Sequence, residues 1–275
     1  MIIYFSCTGN TRWAAETLAK TTNDRLLSLF DAVKDKKPIH LKEGERLGFC
    51  LPVHGWNVQP MVSSFIRNMK VTQANNVEMT AKDLKRIYTY FLLTAGDSCG
   101  EYALQLERLL ESAGLSVDTC CSLLMPESYV ALPGFDVDPA LREAEKKMKA
   151  NGTIQKFAEI IEDHRSVRMP IVCGSFPKIY SRVFGRFFYK YLITDKRFKV
   201  DCGKCTGCGK CSKVCPVENI AMTDEGQGRH PAWLHNGKCL TCLACYHYCP
   251  YHAIDYWAFT KKKGQYFFTH NRQQL

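Results

Sequence analysis

The residues best suited to chemistry are cysteines. The chain holds 15 in 275 residues, and nine of them fall between positions 202 and 249. From Cys205 it reads CTGCGKCSKVCP, and from Cys239 CLTCLACYHYCP; both are C-x2-C-x2-C-x3-C-P. Cys205, Cys208, Cys211 and Cys215 recur 34 residues later as Cys239, Cys242, Cys245 and Cys249. Pro216 and Ile220 recur as Pro250 and Ile254, so the segment is an internal duplication. Three cysteines two residues apart wrap a tight loop around successive corners of an iron–sulfur cubane. The fourth lies too far round for its own cluster and reaches the other one. This spacing predicts one [4Fe–4S] cluster on Cys205, Cys208, Cys211 and Cys249, and a second on Cys239, Cys242, Cys245 and Cys215. Glycines in the first loop suit sharp turns that aim backbone N–H groups at sulfur. Structural zinc also uses C-x2-C pairs, but it has no need of the C-P ending or the exchanged fourth cysteine. Cys202, whose counterpart 34 residues on is Asn236, reads as a free thiol rather than a ligand.

A second reactive stretch is YFSCTGNTRWA, residues 4–14. A cysteine ahead of an arginine is the pattern of a phosphate-ester nucleophile, but that loop needs five intervening residues and Cys7 to Arg12 leaves four. MIIYF reads as a buried parallel strand and RWAAETLAK as a helix. A strand, a small polar loop and a helix N-terminus together form an anion cradle of backbone N–H groups and hydroxyls. Cys7 is therefore expected to be a loop residue and not a nucleophile.

These stretches carry two resemblances. Residues from Cys205 to Pro250 resemble the bacterial two-[4Fe–4S] ferredoxins. SCTGNT resembles the FMN-phosphate loop of flavodoxins, with Ser6, Thr8, Asn10 and Thr11 on its hydroxyl and amide positions, Gly9 on its glycine and Cys7 on its variable position. RLGFCLP, residues 46–52, reads as a second core strand. It leads into PVHGWNVQP, where flavodoxins place a flavin-contacting loop. The resemblance implies contacts from Pro52, His54, Gly55 and Trp56, with the indole stacked on the isoalloxazine or packed under the loop. RIYTYFLLT, residues 86–94, is a further strand. The loop after it, then an amphipathic helix, match the second flavin-contacting loop, which implies Thr94, Gly96, Asp97 and Gly100 as contacts and Leu104, Leu109 and Leu110 as core. LSVDTCCSLLMP reads as a last strand. Asp138 and Pro139 read as N-cap and N1 of a helix running to about residue 165.

The expected fold is α/β: a flavodoxin-like doubly wound parallel sheet over 1–165, a basic aromatic linker, helical, over 166–200, a small α+β two-[4Fe–4S] ferredoxin domain over 201–260, and a tail over 261–275. The linker FPKIYSRVFGRFFYKYL, residues 176–192, places apolar pairs and the cations Lys178, Arg182, Arg186 and Lys190 at intervals of four. Its aromatics pack between domains, dock an acidic redox partner or, less favoured, lie on an anionic membrane; no RNA module accompanies it. Net charge is +10, yet residues 1–165 carry 20 basic against 21 acidic side chains, so the excess lies further along. Two oxidised clusters and FMN, at about −2 each, bring the total to roughly +4.

No run of apolar residues is long enough for a membrane span, and the first residues lack the basic lead-in and apolar core of an export signal, which points to the cytoplasm. The resemblance implies a family of electron-transfer proteins of anaerobic bacteria and archaea, in which electrons pass between the clusters and a bound FMN. The alternatives are an FMN and iron–sulfur oxidoreductase acting on a small substrate or NAD(P)H, for which no G-x-G-x-x-G is present, and a redox sensor.

Overall fold

The structure, a computed structural model, describes residues 1–73, 77–224 and 228–269. Residues 270–275 of the expected tail lie outside the described residues. The chain divides into two compact units. Unit 1 comprises Met1–Ser6, Thr11–Met125 and Ala144–Arg186; unit 2 comprises Cys7–Asn10, Pro126–Glu143 and the chain from Phe187 onward. The expected boundaries lie after residues 165, 200 and 260. Residues 167–172 stay with unit 1 because Val167 O, Met169 N and Val172 N hydrogen-bond along 119–122.

Unit 1 is built on five parallel strands: β1 (Ile2–Tyr4), β2 (Leu26–Ser28), β3 (Leu47–Pro52), β4 (Thr89–Ala95) and β5 (Val117–Leu124). Their order is β2-β1-β3-β4-β5, every pairing parallel. This is the flavodoxin-type doubly wound order, with its switch point between β1 and β3. All seven residues of β4 are buried, as continuous apolar runs in a sheet covered on both faces require. Its longer helices are α1 (Asn10–Thr22), α2 (Leu29–Asp35), α3 (Pro60–Asn68), α4 (Tyr102–Ser112) and, from Ala144 onward, α5 (Ala140–Glu162), with a single turn at Ala81–Leu84. In α4 the inward stripe is Tyr102, Leu106, Leu109 and Leu110, while Leu104 is exposed rather than core. Ahead of α5, the Asp138 carboxylate accepts the Glu127 N–H at 2.9 Å and pairs with Arg142 at 3.3 Å. Ile39–His40, Val71–Gln73 and Val77–Glu78 form a small sheet of their own.

Unit 2 contains β6 (Phe198–Val200), β7 (Ile220–Thr223), β8 (His230–Trp233) and β9 (Ile254–Tyr256), paired antiparallel as β6 with β9 and β7 with β8. Its core gathers Phe198, Ile220, Leu243, Tyr246, Ile254 and Tyr256 around the buried cysteines Cys211, Cys245 and Cys249. The duplication recurs in the backbone. One-turn helices occupy Lys210–Lys213 and Ala244–His247. Left-handed residues fall at Gly207 and Thr241, Gly209 and Leu243, Glu218 and His252, each pair 34 apart.

A continuous helix spans 177–192, with π-helical stretches at Tyr180–Gly185 and Phe188–Leu192. Ile179, Val183, Phe184, Phe187 and Tyr191 are exposed, and the buried positions are Ser181, Gly185, Phe188 and Leu192. Among the described residues no helix is long and apolar enough to cross a membrane.

Candidate iron–sulfur centre and the flavodoxin-type loops

The eight cysteines of the repeat surround two cavities in unit 2. Cys205, Cys208, Cys211 and Cys249 line one; Cys215, Cys239, Cys242 and Cys245 line the other. The fourth cysteine of each motif thus lines the cavity of its sister. The two cavities are small and of closely similar size. The cysteine lining of each cavity is the donor set that iron–sulfur clusters use. The residues present therefore fit two iron–sulfur clusters.

The backbone supports the sulfurs in the same way in both repeats. Asn219 N donates to Cys215 Sγ and Ala253 N to Cys249 Sγ, each at 3.3 Å and 34 residues apart. Thr241 N adds a bond to Cys239 Sγ at 3.4 Å. Burial first, then the neighbouring cysteines, push the free thiols up, Cys211 to about 11 and Cys239 to about 12. Burial dominates at Cys239, where the Thr241 N–H pulls the other way. Cluster assembly on such thiols displaces protons.

The positions expected to hold FMN are engaged by the chain itself. In unit 1, Cys99 N donates to Val172 O at 2.7 Å, Gly100 N to Cys173 O at 3.2 Å and Glu101 N to Ser181 Oγ at 2.8 Å. Ser181 Oγ donates in turn to Trp56 O at 2.7 Å. A Cβ on Gly100 (φ +56°) would lie 2.6 Å from Ser181 Oγ and 2.8 Å from Trp56 Cβ, so these loops pack closely at this point. Trp56 stacks on Tyr180, with centroids 5.4 Å apart and planes at 22°, and its Nε1 donates to Ser98 Oγ at 3.1 Å. Thr11 and Thr94 share a buried hydroxyl bond of 2.7 Å. Pro52 O accepts from Gln59 Nε2, Gly55 O from Asn57 Nδ2, and Gly96 O from Lys146 Nζ. His54 bridges to Asn57 through the backbone, Asp97 is exposed, and Ser6 is half-buried.

In unit 2, Thr8, Gly9 and Asn10 meet the chain's own later residues. Phe268 N donates to Thr8 O at 2.9 Å, and a Cβ on Gly9 (φ +99°) would lie 2.9 Å from Phe268 Cβ. Asn10 is used at both ends of its amide, by Pro126 O and by the Tyr266 hydroxyl. Sequence reasoning missed Tyr180, Ser181, Tyr266 and Phe268. The signal for Ser181 was present: Ser181 and Gly185 form a third stripe, of small residues, between the apolar pairs and the cations of residues 176–192.

Residues 204–253 match the 4Fe-4S dicluster domain family. Over 55 residues the chain is 38% identical to an uncharacterized ferredoxin of Methanocaldococcus jannaschii, which is 20% of this chain and 70% of that protein. Through this segment the chain belongs to the dicluster ferredoxins. It is a flavodoxin-like α/β unit fused to such a ferredoxin. Among solved structures it is similar to two-electron reduced Megasphaera elsdenii flavodoxin, at 16% identity over 56% of this chain and 99% of that one, with a TM-score of 0.32. It is also similar to a flavone reductase, at 13% identity over 85% of this chain and 81% of that one, with a TM-score of 0.37.

Proposed function

We propose that the protein is an electron carrier holding two [4Fe–4S] clusters. One sits on Cys205, Cys208, Cys211 and Cys249, the other on Cys239, Cys242, Cys245 and Cys215. The observation that carries this is the gathering of the eight repeat cysteines around two similar cavities, with the fourth cysteine of each motif exchanged. Bound clusters supply one-electron redox chemistry. The protein's own contribution is to fix the sulfurs, exclude water from Cys211, Cys245 and Cys249, and aim N–H groups at Cys215 and Cys249.

The partner is an acidic redox protein that docks on the 177–192 helix. Its exposed apolar side chains, flanked by Lys178, Arg186 and Lys190, suit a patch of apolar contacts ringed by carboxylates. Arg182 contributes less charge, since Glu101 holds it in a two-bonded ion pair.

The test is anaerobic reduction of protein carrying full iron and sulfide, by NADH, by NADPH and by a reduced low-potential ferredoxin in separate experiments. Reduction by ferredoxin alone is expected, at a rate that falls with salt. Rapid reduction by a nicotinamide makes the protein an oxidoreductase with its own substrate site and ends the carrier reading.

A second reading, with FMN on the S-C-T-G-N-T loop, draws on the strand order of unit 1 and on the helix that opens at Asn10. Adding FMN to iron-loaded protein and following flavin fluorescence decides it; an unquenched signal at micromolar protein removes this reading.

A further inference from the structure

A third cavity belongs to neither cysteine motif. It is a groove of about 400 Å³ that lies wholly in unit 1, within the size range of small-molecule sites. Three arginines line it: Arg108 of α4, and Arg182 and Arg186 of the helix over 177–192. Glu101, just before α4, is the one carboxylate in the lining. Three guanidiniums against one carboxylate leave the groove two net positive charges.

Helical spacing makes both walls. Glu101, Gln105 and Arg108 stand three or four residues apart and share one face of α4, as Arg182 and Arg186 share one face of their helix. Small residues bring that second helix close: a Cβ on Gly185 would strike Asn57 Nδ2 and Gly55 O. Hydrogen bonds then join the walls. Asn57 Nδ2 donates to Ser181 O at 2.9 Å, Gln105 Nε2 to Asn57 Oδ1 at 2.7 Å, and Val58 N to Gln105 Oε1 at 3.2 Å. The amides thus hold the groove in shape, and the guanidiniums give it its charge. Arg182 is already engaged, since its Nε and Nη2 each donate to the Glu101 carboxylate at 2.8 Å. Those bonds, against a smaller effect of burial, and then the charges of Lys178 and Arg108 hold the Glu101 carboxyl below its usual value. Among the described residues, Arg108 and Arg186 form no ion pair, and both are exposed.

We propose that this groove binds a phosphate monoester, with its phosphoryl group held by Arg108 and Arg186. A phosphate monoester carries a charge of about −1.5 to −2 at neutral pH and presents three acceptor oxygens. Guanidinium forks meet such oxygens two at a time, and the charge matches that of the groove. A single carboxylate would leave one positive charge unmatched. Glu101 limits the site, because it occupies Arg182 and repels any anion beside it. The inference depends neither on the clusters nor on the redox partner.

The experiment is anaerobic titration calorimetry of the iron-loaded full chain with adenosine monophosphate, with adenosine and with citrate. Pelleting with phosphatidylcholine vesicles containing phosphatidic acid presents the same group on a lipid. Adenosine monophosphate is expected to bind, more weakly as salt rises, and adenosine is not. Arg108→Gln and Arg186→Gln are each expected to weaken binding about tenfold, the effect of one charge-assisted bond. Glu101→Gln frees Arg182, removes the repulsion and is expected to tighten binding, which a purely structural role for Glu101 would not do. Lys20→Gln, on α1, removes the same charge elsewhere and is expected to change nothing. Binding of the nucleotide or of the vesicles that Arg108→Gln weakens supports the site and names the source of the group. Binding of neither overturns the proposal. So does binding that both arginine variants leave intact, which places the phosphate elsewhere, or an equal loss in Lys20→Gln, which makes the attraction one of bulk charge. Citrate binding more tightly than the nucleotide overturns the choice of phosphate.

Discussion

The two cysteine repeats have the same spacing and the same left-handed backbone positions, yet their surroundings differ. In the first, Cys208 is exposed and Cys205 half-buried, among Gly207, Gly209 and the exposed cations Lys210 and Lys213. In the second, Thr241, Leu243, Ala244, Cys245, Tyr246 and His247 are all buried. One motif therefore lines two cavities: an open one, where Cys208 is exposed, and a more enclosed one, where none of Cys215, Cys239, Cys242 and Cys245 is exposed. Duplication conserves how sulfur is held, and the neighbours acquired afterwards decide what each site is for. An open cluster suits electron entry or exit; an enclosed one, with fixed donors, suits storage at a tuned potential.

The largest effect tests the exchange between repeats. Cys249→Ala is expected to remove the open cluster, not the cluster of its own motif, and Cys215→Ala the enclosed one. Each variant should lose about half its iron and keep one spectroscopic signal unchanged. If Cys215→Ala loses the solvent-exposed signal instead, the ligand sets are not exchanged. Next in size is kinetic. A water-soluble iron chelator is expected to strip wild type in two phases of equal amplitude, the fast one from the open site. Cys249→Ala should lack the fast phase. A single phase breaks the distinction between open and enclosed centres.

The chemistry in these repeats was legible because it is encoded in spacing, which survives any arrangement of the loops. The parallel core was legible for the same kind of reason: RLGFCLP, RIYTYFLLT and LSVDTCCSLLMP are apolar runs of strand length, and they form β3, β4 and β5. What was not legible depends on long-range partners. Leu26–Ser28 is too short and too exposed to announce a strand, and it forms β2 by pairing with β1. Nothing local says that Tyr180 takes the face of Trp56, or that Phe268 lies on Gly9. The S-C-T-G-N-T loop reads as a phosphate cradle by its own residues, and only residues more than 100 positions away show what Asn10 bonds. Leu243 and Thr241 hide a left-handed backbone that Gly209 and Gly207 advertise in the sister repeat.

A smaller effect concerns the support beneath the enclosed site. Asp195 accepts from Asn219 Nδ2 at 2.8 Å, from His235 N at 3.0 Å and from His235 Nδ1 at 2.8 Å. Asn219 in turn donates to Cys215 Sγ. Burial works against the Asp195 carboxylate, but the bonds from Asn219 and His235 outweigh it and hold it below its ordinary 3.8. A depressed carboxyl adds stability that is fully present above the unfolded value and is lost as pH falls through the folded one. Asp195→Asn is expected to cost about 1 to 3 kcal/mol at pH 7, from lost charge-assisted bonds, and to converge with wild type below pH 3.8. Urea unfolding at pH 7 and in acid measures both. Equal stability at pH 7 rules out Asp195 as a support.

The smallest effect addresses the strain the repeats share. Glu218 and His252 occupy equivalent left-handed positions, at φ 51° and 48°, immediately before the residue that donates to the fourth cysteine of each motif. A non-glycine residue there costs about 1 to 2 kcal/mol, while glycine loses about 0.5 to 1 kcal/mol more backbone entropy on folding. The difference favours glycine by about 0.5 to 1 kcal/mol. Glu218→Gly is therefore expected to raise the melting temperature by a few degrees and to leave the iron content and both potentials unchanged, because the Asn219 N–H to Cys215 keeps its direction. A stabilised variant with one shifted potential means instead that the strained residue sets the angle of that N–H, and that the two repeats are tuned by their backbones as well as by their neighbours.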